Sequence, residues 1–280
     1  MKLKAYAKIN LGLKIIGKEE NGYHLLDMVM LPISLCDNIE IEKRNDEKVN
    51  VIVTNNVFLP KENSITKAIQ LMQEKYNFKA GFDVKIEKNI PTQAGMGGGT
   101  SDAAEIIKAV NILMNINAPL NELEDVAMKV GSDVVYSLYS TLSRIQGKGE
   151  IFTKIEKEFK YPILIVKPKS GIKTKDCFNL YKFENDDIPI DVIDKLINSL
   201  DKNLYTVRKY AKNSLLKPAK KLAPIIHKII RTLLSYELNL IQMSGSGSTI
   251  YAIDKDINKL KKVYELIKDD YEFVGIYETK

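Results

Sequence analysis

The stretch Pro91-Thr92-Gln93-Ala94-Gly95-Met96-Gly97-Gly98-Gly99-Thr100-Ser101-Asp102-Ala103-Ala104 decides how this chain is read. Four glycines fall within five positions. Glycine accepts positive φ and carries no Cβ to keep a ligand away. Successive backbone N–H groups in such a loop form a concavity for anions. From Ser101 onward, Ala103, Ile106, Ile107, Val110 and Met114 recur at helical spacing. The loop therefore leads into the N-terminus of a helix, where free N–H groups and the dipole favour negative charge. Thr100 and Ser101 add hydroxyls, so a triphosphate matches the pattern. The plain alternative is a tight strand-to-helix connection. The capped helix and the two hydroxyls favour phosphate over it. No Gly-Lys-Ser/Thr closes the loop, which excludes a Walker A motif. The acidic partner of a dinucleotide fingerprint is not suitably placed either.

Before the loop, Phe82, Val84 and Ile86 alternate with Asp83, Lys85 and Glu87, which predicts a strand that Pro91 ends. Leu3, Ala5, Ala7, Ile9, Leu11 and Leu13 alternate with Lys2, Lys4, Tyr6, Lys8 and Asn10, again a half-buried strand. Asn21-Gly22 predicts a turn. Short strands are expected over 23–31, 38–43 and 49–54. A helix capped by Asn63 or Ser64 follows, then a helix capped by Asn121 and ended by Gly131. Residues 161–167 read as a strand, and helical patterns occupy 190–200, 203–212 and 217–235. Strands over 238–243 and 249–253 flank Ser244-Gly245-Ser246-Gly247-Ser248. A helix over 255–268 and a strand over 272–277 close the chain.

Composition agrees with a folded protein. Of the 280 residues, 45% are hydrophobic and 28% charged. The net charge of +6 is spread along the chain, which suits phosphate-bearing ligands more than a nucleic-acid stripe. Cys36 and Cys177 lie far apart and outside any CxxC, so neither a disulfide framework nor a zinc site is expected. Lys8 and Lys14 interrupt the apolar N-terminus and argue against a signal peptide. No apolar run is long enough to span a bilayer. A cytoplasmic protein with no membrane or nucleic-acid partner is expected, as a monomer or homodimer.

Gly95 to Ala104 resembles the second motif of the GHMP kinases, Ala7-Lys8-Ile9-Asn10-Leu11 the first, and Ser244 to Ser248 the C-terminal glycine motif. Within the superfamily, Asn21-Gly22-Tyr23-His24 and Leu35-Cys36-Asp37-Asn38-Ile39 are similar to the branch that phosphorylates 4-diphosphocytidyl-2-C-methyl-D-erythritol. Gly131-Ser132-Asp133-Val134 and Asn213-Ser214-Leu215-Leu216 fit the same branch. The resemblance runs from Lys8 to Ser248. The chain departs from the branch at Asn21 (usually aspartate), at Val135 (usually proline) and in the segment 140–143.

The resemblance implies an α+β fold of two domains with mixed sheets, a ferredoxin-like C-terminal half and an active site in the cleft between the domains. The domains are expected over 1–156 and 157–280. It implies an ATP-dependent kinase of the non-mevalonate isoprenoid route, acting on a small-molecule alcohol, with Mg²⁺ accompanying ATP. The alternatives are another GHMP kinase, of homoserine or mevalonate type, or a non-catalytic nucleotide-binding paralogue. Asp133 is implied as catalytic base. Lys8 is implied as the catalytic cation, although strand periodicity alone places it on a solvated face. Pro91, Gly95, Gly97, Gly98, Gly99, Thr100 and Ser101 are expected to hold the nucleotide phosphates. Asn63 and Lys88 are expected near adenine, with a helix cap and a strand-end lysine as equally good readings. Asn10, Tyr23, His24, Thr174, Phe178, Gly245 and Ser246 are expected to meet the substrate. Tyr23 and His24 would read its cytosine, and Phe178 is either a second aromatic at the base or an ordinary core residue. The metal ligands are left open.

Overall fold

The opening alternation becomes strand β1 (Lys2–Lys18) in the computed structural model, which describes residues 1–55 and 57–280. The two strands expected at 23–31 and 38–43 are one, β2 (His24–Lys43), because its apolar residues continue through Leu31, Pro32 and Ile33 without a turn signal. The chain divides into two units, each assembled from separated stretches. One holds Met1–Ala7, Leu35–Ile90 and Gly97–Ser140. The other holds Lys8–Ser34, Pro91–Met96 and Thr141–Lys280.

In the first unit, β4 (Phe82–Glu87) pairs antiparallel with Asn38–Lys43 of β2 and parallel with β3 (Val49–Val53). Helix α1 (Ser64–Tyr76) and helix α2 (Gly98–Leu113) pack with α3 (Leu120–Val130) and α4 (Ser132–Tyr139). Ile41, Phe82, Ile86, Ile69, Met72, Ile106, Ile107 and Leu123 belong to one core. Opening α2 with Gly98 and Gly99 costs up to about 1 kcal/mol per residue against alanine. Burying each of Ile106, Ile107 and Val110 returns about 1.5–3 kcal/mol. The packed face therefore sustains a first turn built of glycine. Helix α3 begins two residues earlier than expected, with Pro119 rather than Asn121 at its N-cap, since proline's fixed φ suits a helix start.

In the second unit, β5 (Ser143–Gly147) pairs with Leu26–Met30 of β2 and with β6 (Ile151–Lys154). Neither short strand was evident in the sequence pattern. A second sheet, ordered β10-β7-β9-β8, is antiparallel throughout. Its strands are β7 (Pro162–Lys167), β8 (Leu240–Met243), β9 (Ile250–Ile253) and β10 (Phe273–Glu278). Between β7 and β8 lie α5 (Thr174–Leu180), α6 (Val192–Ile197), α7 (Leu204–Tyr210), α8 (Leu216–Leu222) and α9 (Ile225–Ser235). Pro224 splits the helical run expected over 217–235 into α8 and α9. Helix α10 (Ile257–Ile267) joins β9 to β10. The succession is β-α-β-β-α-β.

Candidate active site

The glycine loop forms as its composition dictates. Gly95 and Gly97 have φ of 69° and 72°, the left-handed region that glycine enters without a Cβ clash. Gly97 is the N-cap of α2, and no side chain caps that helix. The first-turn N–H groups of an α-helix have no intrahelical acceptor. Here they remain available to an anion, reinforced by the helix dipole. The hydroxyls beside them are anchored: Thr100 Oγ1 donates to the Gly97 carbonyl at 2.8 Å and Ser101 Oγ to the Tyr6 carbonyl at 2.7 Å. Each oxygen keeps lone pairs for a further partner.

A buried ion cluster stands behind this turn. The Lys88 ammonium lies against the carboxylate of Asp37 and, at 2.6 Å, that of Asp102. All three side chains are buried, and the other Asp37 oxygen accepts the N–H groups of Asn89 and Ile90. The Asp102 carboxyl is pushed up to about 8, first by its burial and secondarily by the neighbouring Asp37 charge. Its Oδ1 has no hydrogen-bond partner, which is consistent with a carboxyl disfavouring its charged form. The Lys88 ammonium thus offsets carboxylate charge behind the first turn of α2. Asn89 and Ile90 lead directly into the loop, and the cluster fixes their position. Asp37 and Asp102 lie inside sequence motifs that do not reveal this pairing, because their meeting is a tertiary event.

Asn63 and Lys88 have other commitments than adenine. Asn63 caps α1: its Oδ1 accepts from the N–H groups of Ile65 and Thr66, and its Nδ2 donates to Pro60 and Lys61. The Lys88 backbone is bracketed by the Asn55 side chain, which receives its N–H and donates to its carbonyl. An adenine contact from either residue would compete with these bonds. Asp133 lies in the first turn of α4, immediately after Gly131 ends α3, and it is half-buried.

In the second unit, Lys8 is not on a solvated face. It is 5% exposed and its ammonium donates to Asn10 Oδ1 at 2.7 Å. The alternation predicted one buried face, whereas Lys8, Asn10 and Lys14 on the other face are buried too. The surrounding bonds explain why. The Lys8 N–H donates to the Met96 carbonyl at 3.0 Å, and the Asn10 N–H donates to Ser244 Oγ, whose hydroxyl donates to the Gly95 carbonyl. Tyr251 Oη donates to the Asn10 carbonyl from beneath. Residues 91–96, β1 and the 244–248 turn therefore meet at Lys8 and Asn10. A side chain at Gly95 would collide with the Ser244 carbonyl, and one at Gly245 would come within 3.3 Å of Asn10 Oδ1. Both glycines are required for this approach. Asn213 Nδ2 donates to the Met243 and Gly245 carbonyls and holds the turn from its other side. Thr174 Oγ1 and Ser246 Oγ are 3.0 Å apart, so the two predicted substrate residues are joined.

The predicted aromatic readers are partly gathered. His24 faces Phe178, with centroids 5.1 Å apart and planes tilted by 34°. Phe183 stacks near His24 at 6.3 Å, and Tyr181 meets it edge-on at 5.9 Å. Burial holds the His24 imidazole below its ordinary pKa, with the nearby Lys18 charge adding to this. At neutral pH the ring is therefore neutral and offers one donor and one acceptor. Tyr23 is 64% exposed, and the Lys148 ammonium lies 5.9 Å from its ring centroid. Its position is set by Asn21, whose Oδ1 accepts the Tyr23 N–H as an aspartate would. Sequence reading missed Tyr181 and Phe183. It also missed the buried Asp186, which accepts from Tyr181 Oη, Ser214 Oγ and Lys14 Nζ and ties this wall to β1.

Among the described residues no group of three or more His, Cys, Asp or Glu is arranged to hold a metal, and no helix is long and apolar enough to cross a membrane. Burial pushes the Cys177 thiol up to about 12, which leaves it an unreactive packing group.

The family described as GHMP kinases N terminal domain matches residues 63–141, which include the glycine loop and Asp133. The 4-diphosphocytidyl-2-C-methyl-D-erythritol kinase of Thermoanaerobacter pseudethanolicus is 38% identical over 283 residues, covering all of this chain and 96% of the relative. That of Clostridium beijerinckii is 37% identical, with both chains fully covered. The chain belongs to the 4-diphosphocytidyl-2-C-methyl-D-erythritol kinase family. A crystal structure of a 4-(cytidine 5'-diphospho)-2C-methyl-D-erythritol kinase superposes with a TM-score of 0.81 at 24% identity, over 100% of this chain and 99% of that one. A homoserine kinase from Cytophaga hutchinsonii reaches 0.78 at 16% identity, over 100% and 94%. These likenesses establish the α+β fold expected from the sequence. As a member of the 4-diphosphocytidyl-2-C-methyl-D-erythritol kinase family, the chain is a small-molecule kinase that uses ATP.

Proposed function

We propose that this protein transfers the γ-phosphoryl group of ATP to a hydroxyl of 4-diphosphocytidyl-2-C-methyl-D-erythritol, a step toward isoprenoid precursors outside the mevalonate route. Full-length likeness to kinases bearing that substrate's name carries the reading. The substrate-side residues of the second unit support it. A neutral imidazole set among aromatic rings at His24, Phe178, Tyr181 and Phe183 suits a flat, uncharged pyrimidine. An aromatic face stacks on a base, and His24 can exchange hydrogen bonds with its edge. Tyr23, exposed and held by its Asn21 turn, is the second stacking candidate.

In this reading the first-turn amides of α2, with Gly95 to Ser101, bind the triphosphate. Phosphoryl transfer asks mainly for positioning and charge stabilisation. Asp133 takes the proton from the attacking hydroxyl. Lys8, held in place by Asn10, orients that hydroxyl and offsets charge on the moving phosphoryl group. Thr174, Gly245 and Ser246 receive the diphosphate and sugar. Bound with ATP, Mg²⁺ would neutralise phosphate charge. Thr100, Ser101 and Asp133 are the groups that would hold it. Residues 1–156 make the ATP-handling half and 157–280 the other half of a cytoplasmic monomer or homodimer.

The test is a transfer assay with γ-labelled ATP across the cytidyl alcohol, homoserine and mevalonate. Label is expected in the cytidyl alcohol, with turnover per KM well above the other two. Preference for either of the others would overturn the substrate assignment while leaving a kinase. No transfer to any of them would favour a non-catalytic nucleotide-binding protein.

A further inference from the structure

A cavity of about 530 Å³ opens in the second unit, walled by α7, α8 and the segment 211–214. Its size falls within the range of about 300–1,000 Å³ usual for small-molecule sites. Of the motifs that point to ATP or to the cytidyl substrate, only Asn213-Ser214-Leu215-Leu216 reaches it.

Its lining is divided by chemistry. The less exposed part of the lining is aliphatic and serves as its floor: Leu238 is buried and Leu216, Ile230, Ile241 and Ile188 are half-buried. The rim is cationic, with Arg208, Lys209, Lys212, Lys217 and Lys220. Two carboxylates also line it, yet both are engaged. Asp186 is occupied by Lys14, Tyr181 and Ser214, and Asp187 pairs with Lys217. Arg208, Lys212 and Lys220 have no carboxylate partner among the described residues, and Lys209 only overlies the Tyr205 ring. Four cations thus surround one concavity without compensation. A cleft lined by one sign of charge concentrates counter-ions. The aliphatic floor then selects among anions, because it gains from an apolar group and gives nothing to inorganic phosphate.

We propose that this cavity is a second binding site, for an amphiphilic phosphate: an aliphatic chain on the floor with its phosphate or diphosphate among Arg208, Lys209, Lys212 and Lys220. The wall formed by residues 212–214 is also the segment whose Asn213 holds the Met243 and Gly245 carbonyls. The ligand would therefore rest against the support of the 244–248 turn.

The probe is octyl phosphate below its micelle concentration, titrated calorimetrically into the full chain saturated with a non-hydrolysable ATP analogue and the cytidyl alcohol. Saturable binding is expected under that saturation, since the kinase site is then filled. Inorganic phosphate and octanol should each bind at least about tenfold more weakly, and added salt should weaken the octyl phosphate complex. Arg208→Glu with Lys220→Glu should reduce affinity by at least about tenfold at unchanged kinase activity, because the changed charges stand at the cavity alone. The single change Arg208→Ala provides the same comparison if the double variant folds poorly. Binding that disappears when the kinase site is filled would place the probe there and refute the proposal. So would equal binding of inorganic phosphate, undiminished affinity in both variants, or dimerisation through this face that excludes the probe.

Discussion

The two regions proposed to serve the reaction are made from different materials. The turn proposed to face phosphate, Gly95–Ser101, is made of backbone: Gly95 and Gly97 at positive φ and a helix start without a side-chain cap, with a buried ion cluster behind it. The region proposed to face the substrate, around Lys8, Asn10 and His24, is made of side chains, and residues far away in sequence pack against it. A backbone site depends on local conformation, so its signature is a run of letters. A side-chain site depends on tertiary packing, so it tolerates dispersed letters and shows little in any one window.

The sharpest way to separate the two is Asp133→Asn. It keeps the shape of the first turn of α4 and removes the proposed proton acceptor. Turnover should fall by about 10²–10⁴-fold, the usual scale of general base catalysis, while ATP affinity measured by equilibrium binding stays within a few-fold. Wild-type turnover in this variant would dismiss Asp133 as the base. Loss of ATP binding instead would mean that the phosphate region is not the self-sufficient backbone device described here.

The next effect concerns the ion cluster. Lys88→Met leaves Asp37 and Asp102 buried without their cation, and removing one partner of a buried pair costs about 3–5 kcal/mol. Urea unfolding should show a loss of that order. A loss below about 1 kcal/mol would show that the cluster behaves like a solvated surface pair.

The smallest effects form a matched pair. Phe178→Ala should raise KM for the cytidyl alcohol and leave KM for ATP, with a penalty of about 1–3 kcal/mol if its ring stacks on the base. Gly97→Ala should do the reverse, since a Cβ at φ 72° strains the N-cap of α2. If both variants moved the same KM, the distinction between the two regions would collapse.

The same distinction explains what the sequence made legible. The glycine loop, the Asn63 cap, the Gly131 stop and the strand over 82–87 are local rules, and the structure follows them. The burial of Lys8 and Lys14 contradicts their strand periodicity, because a 2.0-residue repeat reports one face and cannot see what packs on the other. The hairpin of β5 and β6 lacks both an apolar alternation and a simple turn dipeptide, and its strands are only five and four residues long. Asp186 was invisible for the clearest reason: its donors come from positions 14, 181 and 214.

The enclosure of certain lysines also sets an order of chemical attack. Lys8, Lys14, Lys88 and Lys167 are each less than 10% exposed in a chain whose other amines mostly face water. An acylating reagent given in small doses would consume the outer amines first and reach these four last. Phosphoryl transfer should therefore survive extensive surface labelling and then fail abruptly, and saturation with ATP and alcohol should postpone that failure by shielding Lys8.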